Sequence, residues 1–354
     1  MSPRRKSRAV NAGGLLIGGD NPISIQSMAK TDTRDIESTV KQIEALAEAG
    51  CELVRVAIPD MSAAEALKAI KKRISLPIAA DIHFDYRLAL AALESGADKL
   101  RLNPGNIGGA DNVRKVAEAA KSRGVPIRVG VNSGSLEKGV LEKYGESSPE
   151  ALAESALSHA EMLERFHFSD IVIAVKASSV PVSIEAYEII AAKADYPLHV
   201  GITEAGTAYA GSVKSAVGIG AILSRGIGDT IRVSLTGDPV REVHCAKEIL
   251  KSLGLRRFGV EFISCPACGR TEIDLAGAAA QIEAFCKTLK ADIKVAVMGC
   301  VVNGPGEARD ADLCLAGGKG SAAIFKNGKV LRTVKESEMV NAFIEELRKA
   351  ASDG

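Results

Sequence analysis

There is no tryptophan in the 354 residues, and aromatic residues make up only 4%. Single-stranded nucleic acid is bound largely by stacking bases on aromatic side chains, so this composition speaks against that role. The formal net charge is +1, which leaves no global field to draw in nucleic acid or an anionic membrane. No run approaches the roughly 18–20 apolar residues that span a bilayer. The start, Met1-Ser2-Pro3-Arg4-Arg5-Lys6, is basic but leads into no apolar stretch, so it does not read as a secretory signal and a cytoplasmic location is expected. It reads as a frayed terminus, with a flap near an anionic site as the alternative. There is no low-complexity tract and no long linker.

The 7 cysteines are an odd number in a long chain, so no disulfide framework is expected and metal or catalytic use is favoured. Cys51, Cys245, Cys286 and Cys314 stand in apolar or helical contexts and read as buried small hydrophobes. Apolar residues make up 46% and charged residues 25%, which describes a protein with an aliphatic core. The length allows one large barrel plus a smaller domain.

The first 250 or so residues repeat one unit: a β-rich run, a turn, then an amphipathic helix. Strands are expected at 23–28, 51–58, 77–84, 99–104, 126–132, 170–178, 197–204 and 230–236, with helical periodicity between them. Eight such units fit an α/β fold of the (β/α)8 TIM-barrel type over residues 1–254, with a doubly wound open sheet as runner-up. The repeat stops near 254–259. Residues 255–354 then read as a small α+β domain, with Asn327-Gly328 as a hairpin turn.

Side chains two apart share a strand face. On strand after strand the unusual polar residues have one parity: Asp81 with His83, Arg101 with Asn103, Arg128 with Asn132, Lys176 with Ser178, His199 with Thr203, and Arg232 with Ser234. Arg55 stands on the second strand. Five cations, Arg55, Arg101, Arg128, Lys176 and Arg232, therefore converge towards the barrel mouth. Burying like charges together is costly unless an anion neutralises them, and Arg forks match phosphate oxygens. A small polyanion, a diphosphate above all, is the expected ligand. His83 and His199 read either as core histidines or as ligand contacts, and their place beside the cations favours contacts. His159, His167 and His244 have no polar company in the sequence and read as structural. Glu204 ends the seventh strand on the catalytic face, as a proton donor or as the neighbour of a helix cap.

Cys265, Cys268, Cys300 and Glu307 form the pattern C-x2-C-x31-C-x6-E. Three thiolates and an oxygen donor describe either an unusual zinc site or a [4Fe–4S] cluster with one labile iron. No second C-x2-C exists and no His lies nearby, which favours iron–sulfur without closing the choice. Asn303-Gly304-Pro305-Gly306 supplies a tight turn that can aim N–H groups at sulfides, or is simply a loop.

The segments 262–271 (FISCPACGRT) and 295–308 (VAVMGCVVNGPGEA) resemble the iron–sulfur signature of the 4-hydroxy-3-methylbut-2-enyl diphosphate synthase family. So do Gln26-Ser27-Met28, Ala80-Asp81-Ile82-His83-Phe84-Asp85, Arg101-Leu102-Asn103-Pro104-Gly105-Asn106 and Thr203-Glu204-Ala205-Gly206 in the barrel. The likeness covers nearly the whole chain and follows the compact two-domain bacterial form. It implies reductive ring opening of 2-C-methyl-D-erythritol 2,4-cyclodiphosphate in non-mevalonate isoprenoid synthesis. It implies a [4Fe–4S] cluster on Cys265, Cys268, Cys300 and, at rest, Glu307, which is also a candidate proton donor beside Glu204. It makes Arg55, Arg101, Arg128, Lys176 and Arg232 diphosphate ligands, helped by Asn103, Asn132, Ser234 and His83, with His199 and Asn303 as further candidate contacts. Flavodoxin or ferredoxin is the implied electron donor, and a homodimer with an active site shared between subunits is the implied assembly. Two rivals stand beside this reading: a zinc-dependent barrel lyase or hydrolase on a phosphorylated substrate, and a non-enzymatic iron–sulfur carrier.

Overall fold

Short β-branched runs alternate with helical stripes along the first two thirds of the chain, and the computed structural model, which describes residues 1–300, 306 and 309–352, closes them into a ring. An antiparallel hairpin comes first, β1 (Ala9–Ala12) and β2 (Leu15–Gly18). Then follow β3 (Ser24–Met28), α1 (Ile36–Ala49), β4 (Leu53–Ile58), α2 (Met61–Lys71), β5 (Ile78–Ile82), α3 (Tyr86–Glu94), β6 (Lys99–Leu102), α4 (Ala110–Arg123), β7 (Ile127–Asn132), α5 (Lys138–Tyr144), α6 (Pro149–Glu164), β8 (Ile171–Lys176), α7 (Val180–Lys193), β9 (His199–Val200), α8 (Ala208–Ser224), β10 (Thr230–Ile231) and α9 (Pro239–Ser252). The parallel strands run in the order β8-β7-β6-β5-β4-β3-β10-β9, and a bridge from Ile173 to Leu198 joins the two ends. This is a (β/α)8 barrel. The helices are set by local signals. In α1, Asp35 caps the first turn by accepting from Ser38 N–H, Val40, Ile43 and Leu46 form the buried stripe, and Gly50 at φ 96° ends it.

The seventh and eighth strands are shorter than the sequence suggests. Ladder pairing is confined to His199–Val200 and Thr230–Ile231. Beyond them Gly201 presses against the Arg232 carbonyl, leaving only 2.6 Å for a Cβ. The hairpin β1–β2 is absent from the sequence reading. Its Val10, Ala12 and Ile17 pack on Leu53, Ala79 and Val172 and close the bottom of the barrel. The basic terminus is not frayed: Arg4 Nη2 pairs with Asp229 at 2.7 Å, Arg5 donates to the Ala194 and Tyr196 carbonyls, and Arg8 pairs with Asp195 at 2.7 Å. Buried Asp229, between β9 and β10, also accepts from Ser7 and from Leu198 N–H, so it is the main acid holding residues 4–7.

The chain divides into two compact units, Met1–Arg256 and Arg257–Gly354. The second contains β11 (Glu261–Ser264), α10 (Leu275–Cys286), β12 (Lys294–Met298), β13 (Leu313–Gly318), β14 (Ser321–Lys326), β15 (Lys329–Lys335) and α11 (Met339–Ser352). The five strands form one sheet in sequence order, the first three parallel. Asn327 and Gly328 both have positive φ, 50° and 75°, as a two-residue primed turn requires. Ile282, Phe343 and Leu347 of α10 and α11 pack on Val295, Val297, Leu313 and Ile324 to form this unit's core. Among the described residues no helix is long and apolar enough to cross a membrane.

Candidate active site

Following the registers around the barrel sorts its inward side chains into levels of four, each drawn from alternate strands. The lowest holds Leu53, Lys99, Val172 and Thr230. Above it come Gln26, Ala79, Arg128 and His199, then Arg55, Arg101, Ala174 and Arg232. Met28, Asp81, Gly130 and Gly201 form the next level. Ala57, Asn103, Lys176 and Ser234 lie nearest the strand ends. The five expected cations all face inward, and they lie inside the barrel rather than at its rim, with exposures of 1% for Arg128 to 9% for Arg55.

Two buried acids divide the cations. Asp81 is 3.1 Å from Arg101 Nη1 and 3.6 Å from Arg55 Nε, with His83 Nε2 at 3.5 Å. Burial alone would raise its pKa, but Arg55, the His83 hydrogen bond and Arg101 hold the carboxyl well below the usual range. Glu242 reaches in from the first turn of α9. It accepts from Ser27 Oγ and Leu235 N–H, pairs with Lys30 at 2.9 Å and lies 3.7 Å from Arg232. Arg55 also directs Nε and Nη2 at Met28 Sδ, at 3.1 and 2.7 Å. Burial, with Arg232 and Arg101 adding repulsion, lowers the Arg55 pKa to about 10 against the pull of Asp81. Arg128 and Lys176 have no acidic partner among the described residues. Both are pushed well below their ordinary pKa by burial first and by neighbouring arginines second. The excess positive charge therefore centres on Arg128 and Lys176, and an anion seated there relieves it.

Small residues make the space. A Cβ on Gly130 would sit 2.9 Å from Arg101 Nε, and one on Gly201 would sit 3.5 Å from Lys176 Cε. Over Gly130 opens a cavity of ≈ 100 Å³ bordered by His83, Phe84, Arg101, Asn103 and Asn132. Asn103 Oδ1 accepts from Gly105 N–H at 3.1 Å, which leaves its buried Nδ2 with no partner among the described residues. Ser234 is half-buried at the same end, and Glu204 is exposed after β9 with φ 51°. A larger groove, ≈ 560 Å³, lies between α8 and α9 beside Ala216, His244 and Cys245, and holds none of the expected site residues.

Several expectations change. His199 is fully buried in the same level as Arg128, neither of its nitrogens has a partner among the described residues, and it is not among the residues bordering the cavity over Gly130. Burial, then Arg128 and Lys176, pushes its pKa well below the ordinary value. His159 does have polar company, since its Nε2 is 2.7 Å from Glu137 Oε1. Cys51, Cys286 and Cys314 are buried as expected, whereas Cys245 is only half-buried on the outer groove. Lys99, Glu242 and Phe84 are not among the site residues that the sequence suggests. Lys99 shares the parity of Arg101, so the alternation rule already pointed to it. Nothing in the sequence marks Glu242, whose role depends on α9 folding back against β3. Phe84 is 74% exposed at φ 62°, a conformation an aromatic rarely takes.

In the second unit, parallel β11 and β12 pair Ser264 with Val297, so Cys265 and Cys300 lie just past neighbouring strand ends. Gly299 N–H donates to Cys265 Sγ at 3.3 Å, and Glu272 N–H bonds the Gly299 carbonyl. Ala267 turns the C-x2-C segment at φ 53°. Cys268 is exposed, and the Arg270 N–H and guanidinium lower its pKa, which favours a thiolate. Soft thiols from two adjoining turns, with an N–H aimed at one sulfur, have the chemistry that holds an iron–sulfur cluster. No three His, Cys, Asp or Glu side chains already form a closed metal group among the described residues. Asn303 and Glu307 lie outside the described residues.

Residues 7–247 match the GcpE TIM-barrel domain and residues 261–349 the GcpE protein C-terminal domain. Proteins named 4-hydroxy-3-methylbut-2-en-1-yl diphosphate synthase (flavodoxin) are similar over almost the whole chain. That of Caldanaerobacter subterraneus subsp. tengcongensis is 56% identical over 350 residues, 99% of each chain. That of Fusobacterium nucleatum subsp. nucleatum is 57% identical over 349 residues, 99% of this chain and 98% of its own. Among solved structures, dihydropteroate synthase from Stenotrophomonas maltophilia aligns with a TM-score of 0.52 at 14% identity, over 70% of this chain and 98% of its own. That last likeness speaks to the barrel alone.

Proposed function

The chain belongs to the GcpE family, and from that premise we propose that it opens 2-C-methyl-D-erythritol 2,4-cyclodiphosphate to 4-hydroxy-3-methylbut-2-enyl diphosphate in isoprenoid synthesis. It is an oxidoreductase. Counted on the free acids, two electrons and two protons enter, one C–O bond to phosphate and one to a hydroxyl break, and one water leaves. The observation that carries the reading is that two of the five expected cations, Arg128 and Lys176, are buried without acids, whereas Arg55, Arg101 and Arg232 are held by Asp81 and Glu242.

The diphosphate lies against Arg128 and Lys176, with Arg55, Arg101 and Arg232 around it. Asn103 Nδ2, Asn132, Ser234 and His83 orient its outer oxygens. Because the donors are fixed before substrate arrives, little reorganisation is needed as charge builds on the departing phosphate oxygen. A [4Fe–4S] cluster held by Cys265, Cys268, Cys300 and, at rest, Glu307 supplies single electrons and a Lewis-acidic iron when bound. Glu307 and Glu204 are the candidate acids that would give a proton to the leaving hydroxyl. Reduced flavodoxin is the electron source, as the relatives' names suggest, and the protein works in the cytoplasm. The barrel has the anion seat and the second unit has the thiols, so each half is incomplete alone. We place the working site between subunits of a homodimer. A zinc-dependent lyase and a passive carrier are not favoured by the family.

The test is anaerobic iron and sulfide analysis with a spectrum taken before and after the cyclic diphosphate. Four iron and four sulfide per chain, and a spectral change on adding substrate, are expected. Zinc without sulfide would refute the reading. Arg128→Leu and Arg232→Leu should keep the cluster and lose substrate binding.

A further inference from the structure

Below the cavity, three side chains outside the substrate contacts form a connected set. Glu137, at the end of the loop after β7, lies 2.7 Å from His159 Nε2 through Oε1 and accepts from Ser155 Oγ at 2.8 Å through Oε2. His159 and Ser155 are four apart on α6, so they present one face. His159 is 1% exposed, and its Nδ1 has no partner among the described residues. Burial lowers its pKa against the pull of Glu137, which fits a neutral ring, and the 2.7 Å approach of Nε2 to Oε1 is a close polar contact, with Oε1 making no hydrogen bond among the described residues. Directly over this pair passes Gly105. A Cβ there would lie 2.7 Å from His159 Nε2, 3.5 Å from Glu137 Oε1 and 3.4 Å from Asn103 Oδ1. Gly105 N–H is the donor that fixes Asn103 Oδ1.

We propose that Glu137 and His159 are positioning residues for the substrate: they fix the turn at Gly105, and so aim the buried Asn103 Nδ2 donor at the bound diphosphate. An amide has two orientations, and only one offers N–H₂ to an anion. The Gly105 N–H selects that orientation, and it can do so only while the turn stays seated on the imidazole. The dyad also ties the loop after β6 to the loop after β7, which begins directly after Asn132. Two walls of the cavity are thereby held to one helix. This inference rests on the reading of the barrel as a diphosphate site.

A double-mutant cycle tests it on the cluster-loaded, oxidised protein, with cyclic diphosphate binding followed by calorimetry in the absence of reductant. His159→Leu should weaken binding about tenfold in the parent and less than about twofold in Asn103→Ala, because the dyad acts through that amide. Glu137→Ala, at a residue 30% exposed, repeats the cycle if His159→Leu fails to fold. Glu137→Gln keeps an acceptor for the imidazole and should recover most of the affinity. Equal losses in the parent and in Asn103→Ala would overturn the proposal, as would unchanged affinity with a lowered melting temperature. The same cycle with inorganic diphosphate separates the two failures. If the parent binds inorganic diphosphate but not the cyclic compound, the substrate assignment fails and the dyad is still tested.

Discussion

Two glycines of one level predict opposite phenotypes. Gly130 faces the tip of Arg101, and Gly201 faces the carbonyl of Arg232. Gly130→Ala should therefore displace a guanidinium and leave the strand intact: substrate binding falls about tenfold or more while the melting temperature changes little. Gly201→Ala sets a methyl 2.6 Å from main chain that cannot move aside. It should cost about 1–3 kcal/mol of stability by overpacking, read as an earlier thermal transition. Lys99 makes a different case. It is fully buried, its Nζ has no partner among the described residues, and burial and Arg128 push its pKa well below 10.5. Its folded pKa is depressed, so between that value and 10.5 the unfolded chain binds the extra proton, and stability rises with pH across that window. Lys99→Met should raise stability at neutral pH by on the order of 1 kcal/mol and flatten the alkaline rise relative to the parent, in paired denaturant titrations from neutral to alkaline pH. These residues also show what the sequence makes legible. The parity of Arg101, Arg128, Lys176 and Arg232 is a local property with a period of two, so their common face can be read directly. Their depth is not local. It follows from the stagger between strands, which sets His199 and Arg128 at one buried level below Arg101 and Arg232.

Elements repeat the lesson. Long periodic helices such as α1 and α9 declare their ends through Asp35, Gly50 and Asp238. The hairpin β1–β2 declares little, because its strands are four residues each and gain their burial only from the barrel floor they cover. In the cysteine unit, the C-x2-C spacing shows in the sequence, but the approach of Cys300 depends on β11 lying parallel to β12 across an intervening helix. The basic terminus is held by Asp229, which faces Arg4, Arg5, Ser7 and Leu198 N–H. Asp229→Ala should release the terminal segment and cost roughly 1–3 kcal/mol, since several donors lose a buried acceptor at once. Limited proteolysis near Arg4 to Arg8, compared with the parent, would register the release. If that segment stays protected at full stability, Asp229 is not its anchor.

At the scale of the whole molecule, function is divided by chemistry. The barrel gathers buried cations, whereas the second unit offers three thiols on two turns. If the working site is built between subunits, the two kinds of damage complement each other in a mixed dimer. Cys265→Ser should abolish turnover by spoiling the cluster, and Arg128→Leu by spoiling the anion seat. Neither change touches the other unit. After the two inactive chains are unfolded together, refolded and reloaded with iron and sulfide, half of the dimers are mixed. Each mixed dimer then has one site with an intact barrel facing an intact cluster unit. Activity should return to about a quarter of the parent's, counted per site. A site completed within one chain gives no such recovery, because every chain in the mixture carries one broken half. Size-exclusion of the mixture and iron counts on the isolated mixed dimer separate failure to reassociate from failure to complement. Full reassociation without activity would refute the shared site and leave the barrel's anion chemistry as it stands.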